Sequence, residues 1–150
     1  MIGTKNQIIT YLLVQKDDTK FEVKEYKEKR GLRANKYYWS LLQELANILQ
    51  KSKEETHFLM LKEYGQFDVI SVDEKVDLRN YFTYFEKIGS SELNNKTFYH
   101  YKIYKESHNM DSKEFSILLN GLVQECKQQG IETLDDIEIN KMIKEIKKNE

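Results

Sequence analysis

Proline is absent from the 150-residue chain, where an average usage of about 5% would place roughly seven. Proline-rich ligand segments and slow X-Pro isomerisation steps are thereby excluded. Cysteine occurs once, as Cys126. A lone thiol forms no intrachain disulfide and completes no multi-cysteine zinc or iron–sulfur site. This usage points to a reducing, cytoplasmic compartment. No apolar run approaches the about 18 residues of a membrane-spanning helix. The polar stretch Met1–Gln7 lacks the apolar centre of a signal peptide. Glycine is scarce, with six in all, and neither G-x-x-x-x-G-K-[ST] nor G-x-G-x-x-G occurs. No serine sits in a G-x-S-x-G context. Lys plus Arg total 24 against 25 acids, a net charge of −1. Binding of nucleic acid by bulk positive charge is excluded, whereas a local basic face is not.

Aromatic residues are present in force. Ten Tyr and seven Phe help raise the aromatic fraction to 12%, within 39% hydrophobic and 33% charged residues. Disordered chains lack aromatics, so the composition describes a folded unit with a heavily charged surface. At 18.0 kDa, the expectation is one domain over 1–150.

The apolar, β-branched run Ile8–Val14 is followed by the polar pair Asp17-Asp18 and by the alternating segment 20–28. Two strands joined by a turn are expected there. The period then changes. Tyr37, Tyr38, Leu41, Leu42, Leu45, Ile48 and Leu49 recur at spacings of three and four, predicting an amphipathic helix from about Leu32 to Gln50, with Gly31 as its N-cap. A second helix is expected after Ser52, carrying Phe58, Leu59, Leu61 and Lys62 and stopping near Gly65. Val69–Val72 is β-like, and 81–88 fits either a strand or a helical turn. Gly89, Ser90 and Ser91 are expected to break it, and Asn94-Asn95 to turn the chain. Segment 97–105 reads as a strand with Phe98, His100, Lys102 and Tyr104 on one face and Tyr99, Tyr101 and Ile103 on the other.

Asp111 and Glu114 resemble a capping box, and Phe115, Leu118, Leu119, Leu122, Val123 and Cys126 form one stripe ending before Gly130. A helix over about 112–129 follows. A last helix, about 135–148, carries Ile139, Ile143 and Ile146 and is expected at the periphery. The fold class is α+β: amphipathic helices packed on a small, mostly antiparallel sheet.

The strongest candidate site is the segment from Lys20 to Lys36. It holds seven positive charges against three glutamates, a local excess of four. Lys29, Arg30, Arg33 and Lys36 crowd a strand-to-helix turn, and Lys24 and Lys27 extend the track. Cations and free N–H groups at a helix start suit phosphate. Tyr37, Tyr38 and Trp39 follow at once. Aromatics beside a basic groove hold single strands by stacking bases. The alternative is that these rings pack inward and the charges are solvated.

The tyrosine-rich strand 97–105 offers a second choice between nucleotide stacking and ordinary cross-strand packing. His57, His100 and His108 have no metal-ligand spacing, and His108-Asn109 beside His100 is a poor match to a histidine–asparagine nuclease site. Asp17-Asp18 and Asp135-Asp136 read as turn and helix-cap residues. Cys126, on an apolar stripe, reads as a buried small hydrophobe. Neither a catalytic residue nor a cofactor or metal site emerges.

Two stretches together resemble the NinB/Orf-type phage recombination proteins. Residues 29–41 (KRGLRANKYYWSL) resemble the family's basic strand end, which leads through a Ser-x-x-Gln-Asn turn into a Trp-bearing helix, with Arg30, Asn35 and Trp39 matching. Residues 104–134 resemble its late polar loop and amphipathic helix, with Ser107, Met110, Glu114, Phe115 and Leu118 at matching places. Gly31 and Ala34 replace the family's Ser and Gln, and Arg33 stands where an acid is usual, which raises the basic charge of the turn. The two stretches cover under a third of the chain.

The resemblance implies a phage or prophage recombination accessory protein in the cytoplasm of a bacterial host. It implies preference for single-stranded DNA, help in loading a recombinase onto DNA coated by single-strand-binding protein, and a homodimer. The DNA contacts would then be Lys24, Lys27, Lys29, Arg30, Arg33, Lys36, Tyr37 and Trp39. The competing readings are a protein–protein adaptor using the acidic 132–138 stretch and the Lys-rich last helix, and a metal-dependent nuclease.

Overall fold

A computed structural model describes residues 1–24 and 32–147. Five helices and one three-stranded sheet make up this part of the chain, the α+β class expected from the patterning.

The first element departs from expectation. Lys5–Leu13 is a helix, α1, and not a strand. Thr4 and Gln7 form a reciprocal capping box: the Thr4 N–H donates to Gln7 Oε1 at 2.8 Å, and the Gln7 N–H donates to Thr4 Oγ1 at 3.5 Å. Cap chemistry three residues apart overrides the β-branched content of Ile8, Ile9 and Thr10. Residues 20–24 join no strand either, and 25–28 of that expectation lie outside the described residues. Phe21 instead meets Tyr11 edge to face, with ring centroids 6.5 Å apart. The helix buries no side chain.

The core begins with α2, Leu32–Leu49, whose buried stripe is Ala34, Tyr38, Leu41, Leu42, Leu45 and Ala46. The expected cap, Gly31, lies outside the described residues. Gln50 closes the helix in a left-handed conformation, φ 56°. The next helix, α3, runs Lys53–Tyr64 behind a Ser52/Glu55 capping box and buries Thr56, His57, Met60 and Leu61. Gly65 ends it tightly, because a Cβ there would lie 2.6 Å from the Leu61 carbonyl oxygen.

Strand β1 is Phe67–Asp73, β2 is Phe85–Leu93 and β3 is Lys96–Tyr104. The order is β1-β3-β2, with both neighbours antiparallel to β3. Asn94 and Asn95 are both left-handed, φ 51° and 63°, which is the backbone a tight hairpin needs. The expected break at Gly89–Ser91 does not occur. The ladder shifts register between Lys87 and Gly89, absorbing Ile88 as a bulge, and pairing resumes. A 3₁₀ turn, Leu78–Asn80, lies in the link between β1 and β2.

After β3 a second 3₁₀ turn, Ser107–Asn109, leads to α4, Ser112–Gln128. Asp111 Oδ1 accepts from the Glu114 N–H at 2.8 Å. At the other end the Ile131 N–H reaches Cys126 O and the Gly130 N–H reaches Lys127 O. With Gly130 at φ 75° this is a Schellman ending. Eight α4 residues are buried, among them Phe115, Leu118, Leu119, Leu122 and Cys126. Burial pushes the Cys126 thiol up to about 12, so it acts as a small hydrophobe. The last helix, α5, is Asp136–Lys147; expected at the periphery, it instead contributes Ile139, Met142 and Ile143 to the same core. Among the described residues no helix is long and apolar enough to cross a membrane.

Gly121 sets the distance between α3 and α4. A Cβ at this position would overlap the Tyr64 ring, coming within 2.3 Å. Tyr64 therefore lies flat on α4 and donates to Glu125 Oε1 at 2.7 Å. That bond, together with burial, pushes the Tyr64 hydroxyl up to about 12.

Candidate nucleic-acid interface

The helices and the sheet meet through rings. Tyr38 points into the core from α2, so its neighbour Trp39 falls at the edge of the buried stripe, half-buried. Trp39 packs on His57 of α3 with centroids 4.6 Å apart. From His57 the contacts run on to Tyr84 at 5.3 Å, from Tyr84 to Phe58 at 5.6 Å, from Phe58 to Tyr104 at 5.6 Å, and from Tyr104 to Phe67 at 5.9 Å. Six rings from α2, α3, β1, β3 and the segment before β2 thus form a continuous row. It ends in the open at Phe67, which is 47% exposed.

Among the described residues, three lysines fringe this row. Lys53 Nζ lies 5.6 Å from the Trp39 ring centre, Lys62 Nζ 4.3 Å from Phe58 and Lys102 Nζ 4.6 Å from Phe67. Each ammonium is held over a π face, an arrangement worth about 0.5–1 kcal/mol where exposed. Lys62 also pairs with Glu86 of β2 at 3.2 Å. The other face of the sheet repeats the theme once, with Lys87 Nζ 3.4 Å from the Tyr99 ring centre.

His57 anchors the row from within. Its Nδ1 shares a hydrogen bond of 2.7 Å with the Tyr38 hydroxyl. Burial lowers the imidazole to about 4, with nearby Glu106 opposing the shift. The same burial raises the Tyr38 hydroxyl. At neutral pH both groups are uncharged and mutually satisfied, which a buried polar pair requires.

The described residues among those singled out in the sequence are dispersed. Lys24 pairs with Glu22 at 2.9 Å, both highly exposed. Lys27, Lys29 and Arg30 lie outside the described residues. Arg33 donates to Glu138 of α5 at 2.9 Å and approaches Glu145 at 3.9 Å, tying α2 to α5. Lys36 is exposed on α2. Tyr37 accepts from the Leu134 N–H at 3.0 Å and pins the α4–α5 connection, and burial raises its hydroxyl. Of the described residues in the set, Trp39 alone enters the aromatic row.

Sequence reasoning missed Phe58, Tyr84, Phe67, Lys53 and Lys62 as site residues. One signal was available: Phe58 and Lys62 stand four apart on a helix, where side chains meet. Lys102 and Tyr104 share a face as expected, and that face joins the row. His108 Nε2 stands 3.4 Å from Glu106, and His100 bridges two serines. Asp135 Oδ1 accepts from the Glu138 N–H at 2.8 Å, a cap contact. Among the described residues no three His, Cys, Asp or Glu side chains converge to hold a metal ion. Comparisons with protein-family models, curated proteins and solved structures return no match.

Proposed function

We propose that this chain binds single-stranded DNA as a phage or prophage recombination accessory protein that assists recombinase loading in a bacterial host cytoplasm. The family reading rests on the resemblance of segments 29–41 and 104–134. The binding reading is carried by the lysine-fringed aromatic row. Bases stack on exposed ring surface such as that of Phe67, at about 1–3 kcal/mol per base. Lys53, Lys62 and Lys102 take phosphates, exchanging cation–π contacts for ionic ones. This needs neither a basic protein overall nor a cofactor, in keeping with the net charge of −1.

The test is fluorescence anisotropy of a labelled oligo-dT across a salt series, with a duplex control. The double variant Lys62→Glu/Lys102→Glu should bind at least about tenfold more weakly, and its log–log salt slope should flatten by about 1.4 units for two lost single-strand contacts. A folded double variant with unchanged affinity and slope overturns the binding site.

A second reading, protein contact, is favoured by the N-terminal arm. Ile9, Leu13, Val14, Phe21 and Val23 are all exposed, and within α1 only Lys5 is charged. With only Lys5 charged on the helix, two such arms can meet with little repulsion, and the occupant this reading commits to is a second copy. A nine-residue helix is also too short to be stable alone in water. Light scattering should report a concentration-dependent dimer that Ile9→Asp converts to monomer. A wild-type monomer at high concentration rules the arm out as a dimer contact.

A further inference from the structure

His100 sits in the middle of the sheet with a hydroxyl on either side. Its Nδ1 lies 2.6 Å from Ser71 Oγ on β1, and its Nε2 lies 3.0 Å from Ser91 Oγ on β2. The three side chains span all three strands. Ser71 faces His100 directly, while Ser91 is two pairs displaced, opposite Phe98. The residue directly opposite His100 on β2 is Gly89. It has no side chain to cover the ring, and even an added Cβ would meet only His100 Cδ2, at 3.7 Å. Both serines are exposed.

We infer that Ser71, His100 and Ser91 form a phosphate-contact site that engages a backbone phosphate of the bound strand once His100 is protonated. The inference rests on the single-strand reading above and extends its track from Phe67 and Lys102 along β3.

The argument is one of donors and acceptors. A neutral imidazole has one N–H and one bare nitrogen. Held between two hydroxyls, it must accept the hydrogen of one serine and donate to the other. One serine O–H is then consumed by the ring. An imidazolium donates from both nitrogens. Both serine oxygens become acceptors toward the ring, and both O–H groups turn outward. Protonation thus adds a positive charge and frees a second hydroxyl donor at the same place. An oxyanion is the ligand that answers both changes, and hydrogen bonds to a charged group are roughly twice as strong as neutral ones.

The surrounding charges permit this. On β3, Lys102 is two residues along the same face, and Lys96 lies toward the hairpin. On β1, Asp73 is two residues beyond Ser71, but its Oδ1 accepts from the Lys75 N–H at 2.9 Å. On β2, Glu86 is the cross-strand partner of Lys102, and Lys62 of α3 engages it at 3.2 Å. The carboxylates on this face thus have partners, a backbone N–H for Asp73 and the Lys62 ammonium for Glu86.

The first experiment follows the His100 ring resonances by NMR through an acid titration, with and without added inorganic phosphate. A saturating shift in wild type, lost in Ser71→Ala/Ser91→Ala, supports the site. No shift in wild type overturns it. The second compares oligo-dT affinity near pH 5.5 and pH 8 at fixed ionic strength. Wild type should tighten by about tenfold on acidification, the order expected of one charged contact. His100→Gln, which still donates and accepts but cannot become charged, should lose the tightening, its affinity ratio between the two pH values falling to about one. Equal tightening in His100→Gln overturns the coupling to DNA. A phosphate response without DNA binding at either pH would defeat the single-strand reading and leave an oxyanion site standing.

Discussion

Two helices of this protein start alike and end differently. Both α1 and α4 begin with a side chain that caps the third backbone N–H, Thr4 for one and Asp111 for the other. Both carry apolar residues along their length. Yet α4 buries eight residues and α1 buries none. A cap decides where a helix begins, and it acts over three residues. Burial needs a second surface, and only α4 has one, between α2, α3 and α5. The same amphipathic signal therefore produces a core helix in one place and an exposed arm in the other.

The sharpest way to break the comparison is to truncate a core side chain. Leu118 is fully buried among the helices, so Leu118→Ala should cost about 2–5 kcal/mol in urea unfolding. Loss under about 1 kcal/mol would mean that α4 is not the hub described here.

The second largest effect is a pH effect. His57 titrates at about 4 in the fold and near an ordinary 6.5 when unfolded. Between these values the unfolded chain binds the extra proton, so stability rises with pH across that window. The full contribution is present above about pH 6.5 and is lost as pH falls toward 4, amounting to at most about 3 kcal/mol. Asp111 and Glu138, whose carboxyls are lowered chiefly by the Glu114 N–H and by Arg33 respectively, add losses of the same sign at lower pH. Subtracting the profile of His57→Gln isolates the imidazole. A wild-type slope that persists in His57→Gln would assign it elsewhere.

The smallest effect completes the contrast. Ile9→Ala, on the exposed stripe of α1, should change stability by less than about 0.5 kcal/mol in samples dilute enough to be monomeric. A loss comparable to that of Leu118→Ala would show that the arm packs on the body of the protein after all.

Legibility followed the range of the interactions. Helices α2, α3 and α4 were readable almost to the residue, because caps, stripes and Gly130 agree with one another. The Asn94-Asn95 turn was readable for the same reason. The apolar run in α1 was misread because Ile8, Ile9 and Thr10 favour strands, while the Thr4/Gln7 cap that overrides them went unweighed. The middle of β2 was misread because Gly89-Ser90-Ser91 has loop composition, and a bulge is a property of two paired strands. At the site, Trp39 was visible beside a basic segment. Its partners were not, since Phe58, Tyr84, Tyr104 and Phe67 are separated by long stretches of chain.

By itself the sequence determined the local conformations and the sides of each element that are apolar. It did so because capping, periodicity and turn geometry act over three to eight residues. The tertiary structure alone decided which apolar sides find partners and which aromatics fall into one row. It also brought Lys53, Lys62 and Lys102 to that row, and two serines to His100. These depend on how helices and strands pack across the fold, at separations no local pattern encodes.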